Sequence, residues 1–428
     1  MSVAPARAAA YKVIRRVFEQ GAYADRALHA AASGLDRRDR ALATRLAYGS
    51  VQRARTLDYL LGALTSRPPE RLEAGVRAAL RLGLFQILYL DGVSDYAAVN
   101  ESVELVKRES PGGAQLVNAV LRRATREGRA LLAGLGDDNP ARAAVCHSVP
   151  DWLAEMWWRE LGAQRARALL ARVNEPAETA LRVNLLRTSA EELAAALRAL
   201  PDLGGVQAAP AWARQSGLPA LPEVLVLEGQ FDAFSSPQFG RGELMPQSRA
   251  SAVVARVLDP QPGERVLDLC AAPGAKTTHI AQLMGAAGEI VAVERNPARA
   301  RKLARTCELM GCGSVRVLRR DARELVEPGG FRRVLVDPPC SGLGTLQSRP
   351  DLRWQPQRAE IEALAAGQAQ LLRAGAAQLA PGGTLVYSVC TISRREGDAV
   401  IDAFLEQNGE FQADGRWQLL PSEDGTDG

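Results

Sequence analysis

The chain has 428 residues, of which 47% are hydrophobic and 24% are charged, and its formal net charge is +4. This length predicts two or three domains, and the composition is typical of a globular protein. Charged residues break every apolar run well before the length of about 18 residues that a membrane-spanning helix needs, so no membrane association is expected.

The N-terminus and the cysteines indicate a cytoplasmic protein. The first 21 residues lack the long apolar segment of a signal peptide. Six cysteines are scattered without a CxxC pair, and Cys307 and Cys312 have no histidine nearby, so no metal site is predicted. In a reducing cytosol we expect free thiols.

The front of the chain is basic and helical. Residues 1–134 hold 21 Lys and Arg against 13 Asp and Glu, a net charge of +8, so the remainder carries −4. Apolar spacings of three and four predict helices over 11–21, 39–64, 72–90 and 100–110. We therefore expect an all-α domain over residues 1–138 that meets a polyanion such as RNA.

Residues 150–245 are predicted to form a small α+β region. Helices are expected near 151–173 and 189–200, with strands near 179–186 and 223–229. Trp152, Trp157 and Trp158 in the first helix can serve either as a base-stacking surface or as a core face, and their helical spacing favours the core.

Residues 246–428 alternate strand, loop and helix. The predicted strands are 265–270, 288–294, 314–322, 332–337 and 383–390. This succession predicts an α/β domain with a parallel, doubly wound sheet and helices on both faces. The tail 421–428 is expected to be frayed.

The first strand of this sheet runs into a loop of small residues that resembles a ligand-binding turn. Ligands of such sheets bind beyond the carboxyl ends of the strands. GxGxxG is absent, which disfavours a dinucleotide, whereas the acids Glu294 and Asp321 end the next two strands and suit a ribose and an adenine. The alternative is that the loop is an ordinary tight turn between strand and helix, and that Glu294 and Asp321 are helix N-caps. We expect S-adenosylmethionine, bound by Cys270, Ala271, Ala272, Pro273, Gly274, Ala275, Lys276, Glu294, Asp321 and Asp337.

Two thiols follow the last two strands of the sheet. Cys340 lies in "DPPCSG" behind Asp337, and Cys390 lies in "YSVCTIS". Burial as small hydrophobic side chains is one interpretation. The other is covalent catalysis: a thiolate that adds to C6 of cytosine makes C5 nucleophilic, Asp337 stabilises the adduct near N3, and the second thiol helps the product to leave.

The motifs "LDLCAAPGAKTTHI", "DPPCSGLGTLQSRPDLRW" and "LVYSVCTISRREG" resemble the Sun/Fmu family of RNA (cytosine-5) methyltransferases, and the helical front resembles the NusB fold. The resemblance covers nearly the whole chain and is closest to members that act on 16S ribosomal RNA. It implies that Cys390 is the nucleophile, that Cys340 acts in release, and that Lys276 contacts cofactor or substrate. Two alternatives stay open. In the first, the thiol roles are reversed and Cys340 is the nucleophile. In the second, Lys276 is an ordinary lysine at the start of a helix.

Three positions depart from the usual pattern of the family. Pro338 replaces an alanine, Ala275 replaces a glycine, and Glu294 stands where aspartate is frequent. None of these changes removes a functional group, so we expect activity to be retained.

The segment after the catalytic turn is expected to bind RNA. Arg349 and Arg353 are predicted to contact phosphates and Trp354 to stack on a base, although a buried tryptophan is an equal alternative. The expected partner is 16S ribosomal RNA, bound by a monomer. A non-catalytic RNA-binding assembly protein with a degenerate fold, and a transfer RNA methyltransferase, are the competing hypotheses.

Overall fold

The computed structural model describes residues 3–65, 67–200, 203–212, 214–215, 217–229, 231–327, 330–355 and 358–428. These residues pack into two compact units. One comprises Met1–Pro176 with Leu346–Pro356, and the other comprises Ala177–Thr345 with Gln357–Gly428. The predicted domain boundaries at 138, 150 and 245 lie inside these units and stay a prediction.

The first unit is helical in its described residues, as predicted. Apolar faces of its first seven helices form a core that includes Leu46, Leu57, Leu80 and Leu121, all fully buried. The helices are α1 (Pro5–Gln20), α2 (Ala24–Ala31), α3 (Arg37–Gln52), α4 (Ala54–Leu64), α5 (Ala74–Tyr89), α6 (Asp95–Val106), α7 (Pro111–Ala133), α8 (Pro140–Cys146), α9 (Asp151–Leu161) and α10 (Ala163–Arg172).

Local capping explains several of these helix starts. Ser110 accepts a hydrogen bond from the backbone N–H of Gly113 at the start of α7, where proline occupies the first helical position. The predicted helix 39–64 is interrupted at Arg53, and the Ser148 hydroxyl accepts from the N–H of Arg55 in the first turn of α4. Trp157 is fully buried, which confirms that it belongs to a core.

The second unit begins with a small antiparallel sheet in the order β2-β3-β1-β4. Strands β1 and β3 are confirmed, whereas β2 and β4 were not expected because they are only four and three residues long. The elements are β1 (Thr179–Val183), α11 (Ala190–Arg198), β2 (Gly205–Ala208), β3 (Val224–Glu228), α12 (Pro237–Gly240) and β4 (Leu244–Pro246).

The five strands predicted for the C-terminal region form one parallel sheet in the order β7-β6-β5-β8-β9. Neighbouring residues of β5 enter different cores: Val266 packs with Ile280 of α14, and Leu267 packs with Leu371 of α16. Helices therefore cover both faces, and the predicted fold class is confirmed. The elements are α13 (Arg249–Leu258), β5 (Arg265–Leu269), α14 (Ala275–Leu283), β6 (Glu289–Val293), α15 (Pro297–Leu309), β7 (Val315–Leu318), β8 (Phe331–Val336), α16 (Arg358–Ala376), β9 (Leu379–Tyr387), α17 (Asp398–Gln407) and α18 (Pro421–Asp424).

The expectation of a frayed tail is wrong. Leu420 is fully buried, and Thr426 is 1% exposed. The backbone N–H of Gly428 donates to the carbonyl of Gly344 at 3.0 Å, beside the turn that carries Cys340. Tertiary contacts order this polar segment, and its composition alone does not reveal them.

Neither a membrane-spanning helix nor a metal-binding cluster is found in the described ranges. No helix there combines the length and apolarity that crossing a bilayer requires. No group of three or more His, Cys, Asp or Glu side chains there is close enough to hold a metal ion.

Candidate active site

The candidate site residues follow the carboxyl ends of the parallel strands. Cys270 comes directly after β5, Glu294 after β6 and Asp337 after β8, while Asp321 and Cys390 each lie three residues beyond their strands. In a parallel sheet these ends share one edge, where ligands bind. In the strand order of the sheet, Glu294 and Asp321, the acids predicted to bind the adenosine, lie on one side of β5. Asp337 and Cys390 lie on the other side.

The loop 270–276 brings backbone rather than bulky side chains to this edge. Ala271 and Ala272 are buried, Pro273 is exposed, and Ala275 is half-buried at the start of α14. Gly274 has a φ of 106°, and a Cβ there would lie 2.9 Å from a methyl carbon of Leu303. Glycine is therefore required at the N-cap of α14.

Glu294 is buried and already oriented by protein groups. Its Oε1 accepts from the N–H of Asn296 at 2.7 Å, and its Oε2 lies 3.1 Å from Nε of Arg299. Arg299 also donates to the carbonyl of Ala272 at 2.8 Å, which ties the acid to the loop. Arg299 was not predicted from the sequence. The signal that identifies it is a basic residue in the first turn of the helix that follows the acid at the end of the strand.

Asp321 is held by a basic partner. Arg323 donates to its two carboxylate oxygens at 3.0 and 2.6 Å, and Arg295 lies 3.5 Å away. The hydrogen bonds from Arg323 keep the pKa of this carboxyl well below its usual range. Asp321 is thus an anion at neutral pH. It can accept a hydrogen bond from a ligand only through the lone pairs that Arg323 does not use.

A second missed residue is Asp268, the fourth residue of β5. Its Oδ2 accepts from the Thr277 hydroxyl at 2.6 Å, whereas its buried Oδ1 has no hydrogen-bond partner in the described part of the chain. Burial, with a smaller contribution from the Asp337 charge, raises its pKa to about 7. A buried polar atom without a partner is costly, and it fits a polar group of a bound ligand. Together with the small-residue loop and the acids, it fits S-adenosylmethionine.

Lys276 and Asp337 form an ion pair in which Nζ lies 2.8 Å from Oδ2. Lys276 is the second residue of α14, and Asp337 follows β8. Burial opposes the charge of the ammonium, but the Asp337 carboxylate more than offsets this effect and the pKa of Lys276 is raised. A negative charge on Cys390 acts in the same direction.

The two candidate thiols are in contact: Sγ of Cys340 lies 3.3 Å from Sγ of Cys390. The hydrogen bond between them, then burial, then the negative charges of Cys390 and Glu396 raise the pKa of the Cys340 thiol well above its usual value. The two thiols thus share a hydrogen bond in which either sulfur can be the donor, and a negative charge on one opposes ionisation of the other. The carbonyl of Cys390 accepts from the N–H of Gly344 at 3.1 Å.

Of the remaining cysteines, Cys270 belongs to the loop 270–276, and the other three lie elsewhere. Cys307 and Cys312 are buried in the core that also contains Val266, and Cys146 is half-buried in the helical unit. All six cysteines are free, as predicted.

The structure corrects the prediction that Arg353 contacts phosphates. Its side chain is fully buried within the first unit. Its guanidinium donates to protein acceptors: the carbonyls of Gln52, Ser148, Val173 and Leu346 and the side-chain oxygen of Asn174. The charge thus joins segments of that unit and is not available to RNA.

Trp354 is likewise not a free stacking platform. Its indole N–H donates to the carbonyl of Val51 at 2.8 Å, and its ring packs 6.3 Å from that of Phe18. Arg349, by contrast, is exposed. Its guanidinium carbon lies 5.6 Å from the ring centre of Tyr23, which Arg26 approaches at 5.1 Å. Arg349 therefore remains the predicted RNA contact of this segment.

Comparison with known proteins gives consistent matches along the chain. A family model described as "16S rRNA methyltransferase RsmB/F" matches residues 255–419. The model of the NusB family matches residues 4–126, and an RsmF/B-like ferredoxin-like domain matches residues 149–218.

Similar proteins extend over nearly the full length. "Probable ribosomal RNA small subunit methyltransferase B" of Synechocystis sp. is 37% identical over 422 residues, which cover 96% of this chain and 91% of that protein. "Ribosomal RNA small subunit methyltransferase B" of Thermus thermophilus is 38% identical over 376 residues, covering 88% and 80%. The structure titled "Crystal Structure of PH0851" superposes with a TM-score of 0.80 at 26% identity, covering 100% and 98%. The chain belongs to the RsmB/F family of 16S ribosomal RNA methyltransferases.

Proposed function

We propose that this chain transfers a methyl group from S-adenosylmethionine to C5 of a cytosine in 16S ribosomal RNA, through a covalent bond between Cys390 and C6. The observation that carries this proposal is the contact of two thiols, 3.3 Å apart, at the sheet edge that also bears the small-residue loop. Membership of the RsmB/F family supports the methyl transfer and the ribosomal substrate.

The cofactor would be held by the loop 270–276 together with Glu294, Asp321 and Asp268. Bound there, S-adenosylmethionine supplies an electrophilic methyl group. Glu294 suits the ribose hydroxyls because its carboxylate is fixed by Arg299 and by a backbone N–H. The unpartnered Oδ1 of Asp268 suits a hydrogen-bond donor of the ligand.

Cys390 is the proposed nucleophile on electrostatic grounds. The Lys276 ammonium favours a negative charge on Cys390, and the negative charge of Glu396 disfavours one on Cys340. A positive neighbour favours a thiolate and a negative neighbour disfavours it. Addition of the Cys390 thiolate to C6 would move the electron pair of the C5–C6 double bond toward C5 and make C5 nucleophilic toward the methyl group that bound S-adenosylmethionine would supply; as the C5–methyl bond forms, the methyl–sulfur bond would break and leave S-adenosylhomocysteine.

Asp337 and Lys276 are proposed to stabilise the adduct. Addition at C6 places negative charge on the pyrimidine ring, and a proton or a positive charge near N3 lowers its energy. The ammonium of Lys276 donates its hydrogen bond to Asp337 at 2.8 Å, so a proton passed to N3 by way of Asp337 would leave neutral Lys276 beside the Asp337 carboxylate, and the negative charge would move from the ring to that carboxylate.

Cys340 is proposed to act in release. After methylation the C5–H bond breaks and its electron pair forms the C5–C6 double bond, while the C6–S pair returns to Cys390. The proton would go to the Cys340 thiolate, which forms beforehand by loss of the thiol proton to bulk solvent. While Cys390 is bound to carbon it no longer carries the charge or hydrogen bond that raises the pKa of Cys340, so Cys340 can then be ionised.

The RNA is proposed to lie across the first unit near Arg349. A base must leave its stack to enter the site, and exposed cations beside an aromatic ring suit a single-stranded segment. Arg349, Arg26 and the exposed Tyr23 provide that combination, and the net charge of +8 over residues 1–134 adds affinity that does not depend on sequence.

The decisive experiment incubates the protein with methyl-labelled S-adenosylmethionine and unmodified 16S ribosomal RNA, and then maps 5-methylcytosine. We expect Cys390→Ala to abolish transfer and Cys340→Ala to trap a covalent protein–RNA complex. Cys146→Ala, outside the site, should retain activity. Trapping in the Cys390 variant would reverse the thiol roles. Bound RNA without labelled cytosine would favour the assembly-protein hypothesis, and label in transfer RNA alone would favour the transfer RNA hypothesis.

A further inference from the structure

The two residues that directly follow the site cysteines are joined through one buried carboxylate. Glu396, in the loop before α17, is fully buried. Its Oε1 accepts from the backbone N–H of Ser341 at 2.8 Å, and its Oε2 accepts from the Ser341 hydroxyl at 2.5 Å. The Thr391 hydroxyl lies 2.8 Å from Ser341 Oγ. The Thr391 hydroxyl also lies 3.3 Å from Oε2 of Glu396, and because the Ser341 proton is already donated to Glu396, the single Thr391 proton is shared between Ser341 Oγ and Glu396.

A second group holds the other side of Cys340. Nε2 of Gln368, on α16, donates to the carbonyl of Pro339 at 2.9 Å and to Oε1 of Glu396 at 3.1 Å. Tyr387, the last residue of β9, donates its hydroxyl to the carbonyl of Glu396 at 2.7 Å. The backbone before and after Cys340 is therefore fixed by the same cluster, which also reaches the strand leading to Cys390.

We propose that Glu396 is a positioning residue that sets the separation and orientation of the Cys340 and Cys390 thiols. The two cysteines follow different strands, β8 and β9, so pairing of the strands alone does not fix the loops beyond them. A hydrogen-bond cluster buried between those loops does. The effect on rate rests on the proposed function, whereas the effect on thiol geometry does not.

The experiment compares Glu396→Gln and Glu396→Ala with Glu362→Gln. Glu362 is an exposed residue of α16 whose carboxylate pairs with Arg395, so it controls for loss of a nearby carboxylate. We expect kcat for 5-methylcytosine formation to fall about 100-fold in Glu396→Ala, since a displacement of about 1 Å costs about that much. KM for RNA and affinity for S-adenosylmethionine should stay within about twofold, and Glu396→Gln should be intermediate because its amide oxygen still accepts from Ser341.

Thiol geometry is read without any turnover. A short bifunctional alkylating bimane should link Cys340 to Cys390 in the wild type and in Glu362→Gln, and the linked fraction, measured by intact mass, should fall in both Glu396 variants. If those variants do not fold, Ser341→Ala takes their place, with an expected loss in kcat of about tenfold and a small decrease in Tm, because one buried carboxylate oxygen loses a donor.

Unchanged kcat and linking in a folded Glu396→Gln or Glu396→Ala protein would overturn the proposal. Loss of kcat together with an equal loss of cofactor affinity would also overturn it, because that result describes general structural damage. A wild type that forms no 5-methylcytosine contradicts the proposed function, and in that case the linking result still decides the role of Glu396.

Discussion

Stability of the second unit should depend on pH through a buried histidine. Nε2 of His279, on α14, lies 2.7 Å from Oε1 of Glu223, whose two oxygens also accept from Arg256 at 3.0 and 2.7 Å. Both His279 and Glu223 are buried. Burial lowers the pKa of His279 from 6.5 to about 4, so the neutral imidazole donates to a carboxylate that Arg256 already compensates.

The sign and size of the effect follow from proton linkage. Above about pH 6.5 the imidazole is neutral in both states, and the full stability is present. Between 6.5 and about 4 only the unfolded chain binds the proton, so stability falls as pH falls. At about 1.4 kcal/mol per pH unit, the loss reaches roughly 3 kcal/mol near pH 4.

The assay compares wild type with His279→Gln, whose amide nitrogen can donate to Glu223 but does not titrate. Unfolding in urea is measured at about pH 7.5 and at about pH 4.5, and hydrogen exchange of the α14 peptide is used to monitor it. We expect the wild type to lose about 2 to 3 kcal/mol more than the variant over this interval, because acids elsewhere titrate equally in both proteins. Equal losses in the two proteins would refute the reasoning.

Three further outcomes are expected. Lys276→Met leaves Asp337 without its cation, and kcat should fall at least about 100-fold while the Kd for RNA, measured by fluorescence anisotropy, is unchanged. Arg353→Met leaves several buried carbonyls without a donor and should lower the free energy of unfolding by about 2 to 5 kcal/mol. Arg349→Ala should weaken RNA binding and leave Tm unchanged. Gly274→Ala forces a side chain into a backbone with a φ of 106°, and calorimetry should show at least about tenfold weaker binding of S-adenosylmethionine.

The parallel sheet and its edge residues were predictable because their signals are local. Each strand is a short apolar run, and each candidate residue follows its strand within three positions, so the carboxyl-edge rule brings Cys270, Glu294, Asp337 and Cys390 together without knowledge of packing. The contact of the two sulfurs is a consequence of β8 and β9 being neighbours, which the chain order alone does not state.

Errors arose where burial decides the role of a polar residue. Arg353 carries the side chain of an RNA-binding surface, yet it is bonded to carbonyls of distant residues in the helical unit. For Trp354, the alternative of a packed tryptophan holds, since its indole is bonded to the carbonyl of Val51. Asp268 and Glu396 were missed for the converse reason. Each is an ordinary acid in the sequence, and its importance comes from neighbours such as Thr277 or Ser341 that only the folded chain supplies.

The charges around the thiol pair resolve an apparent conflict in the proposed reaction. Two sulfurs in contact cannot both ionise, because each negative charge raises the pKa of the other thiol. In the proposed reaction, the attraction of Lys276 for a charge on Cys390 and the repulsion between Glu396 and a charge on Cys340 would favour the thiolate at Cys390 before the substrate binds. Once Cys390 is bonded to carbon, the same contact no longer opposes ionisation of Cys340. The order of attack and release then follows from a single proton held between two sulfurs.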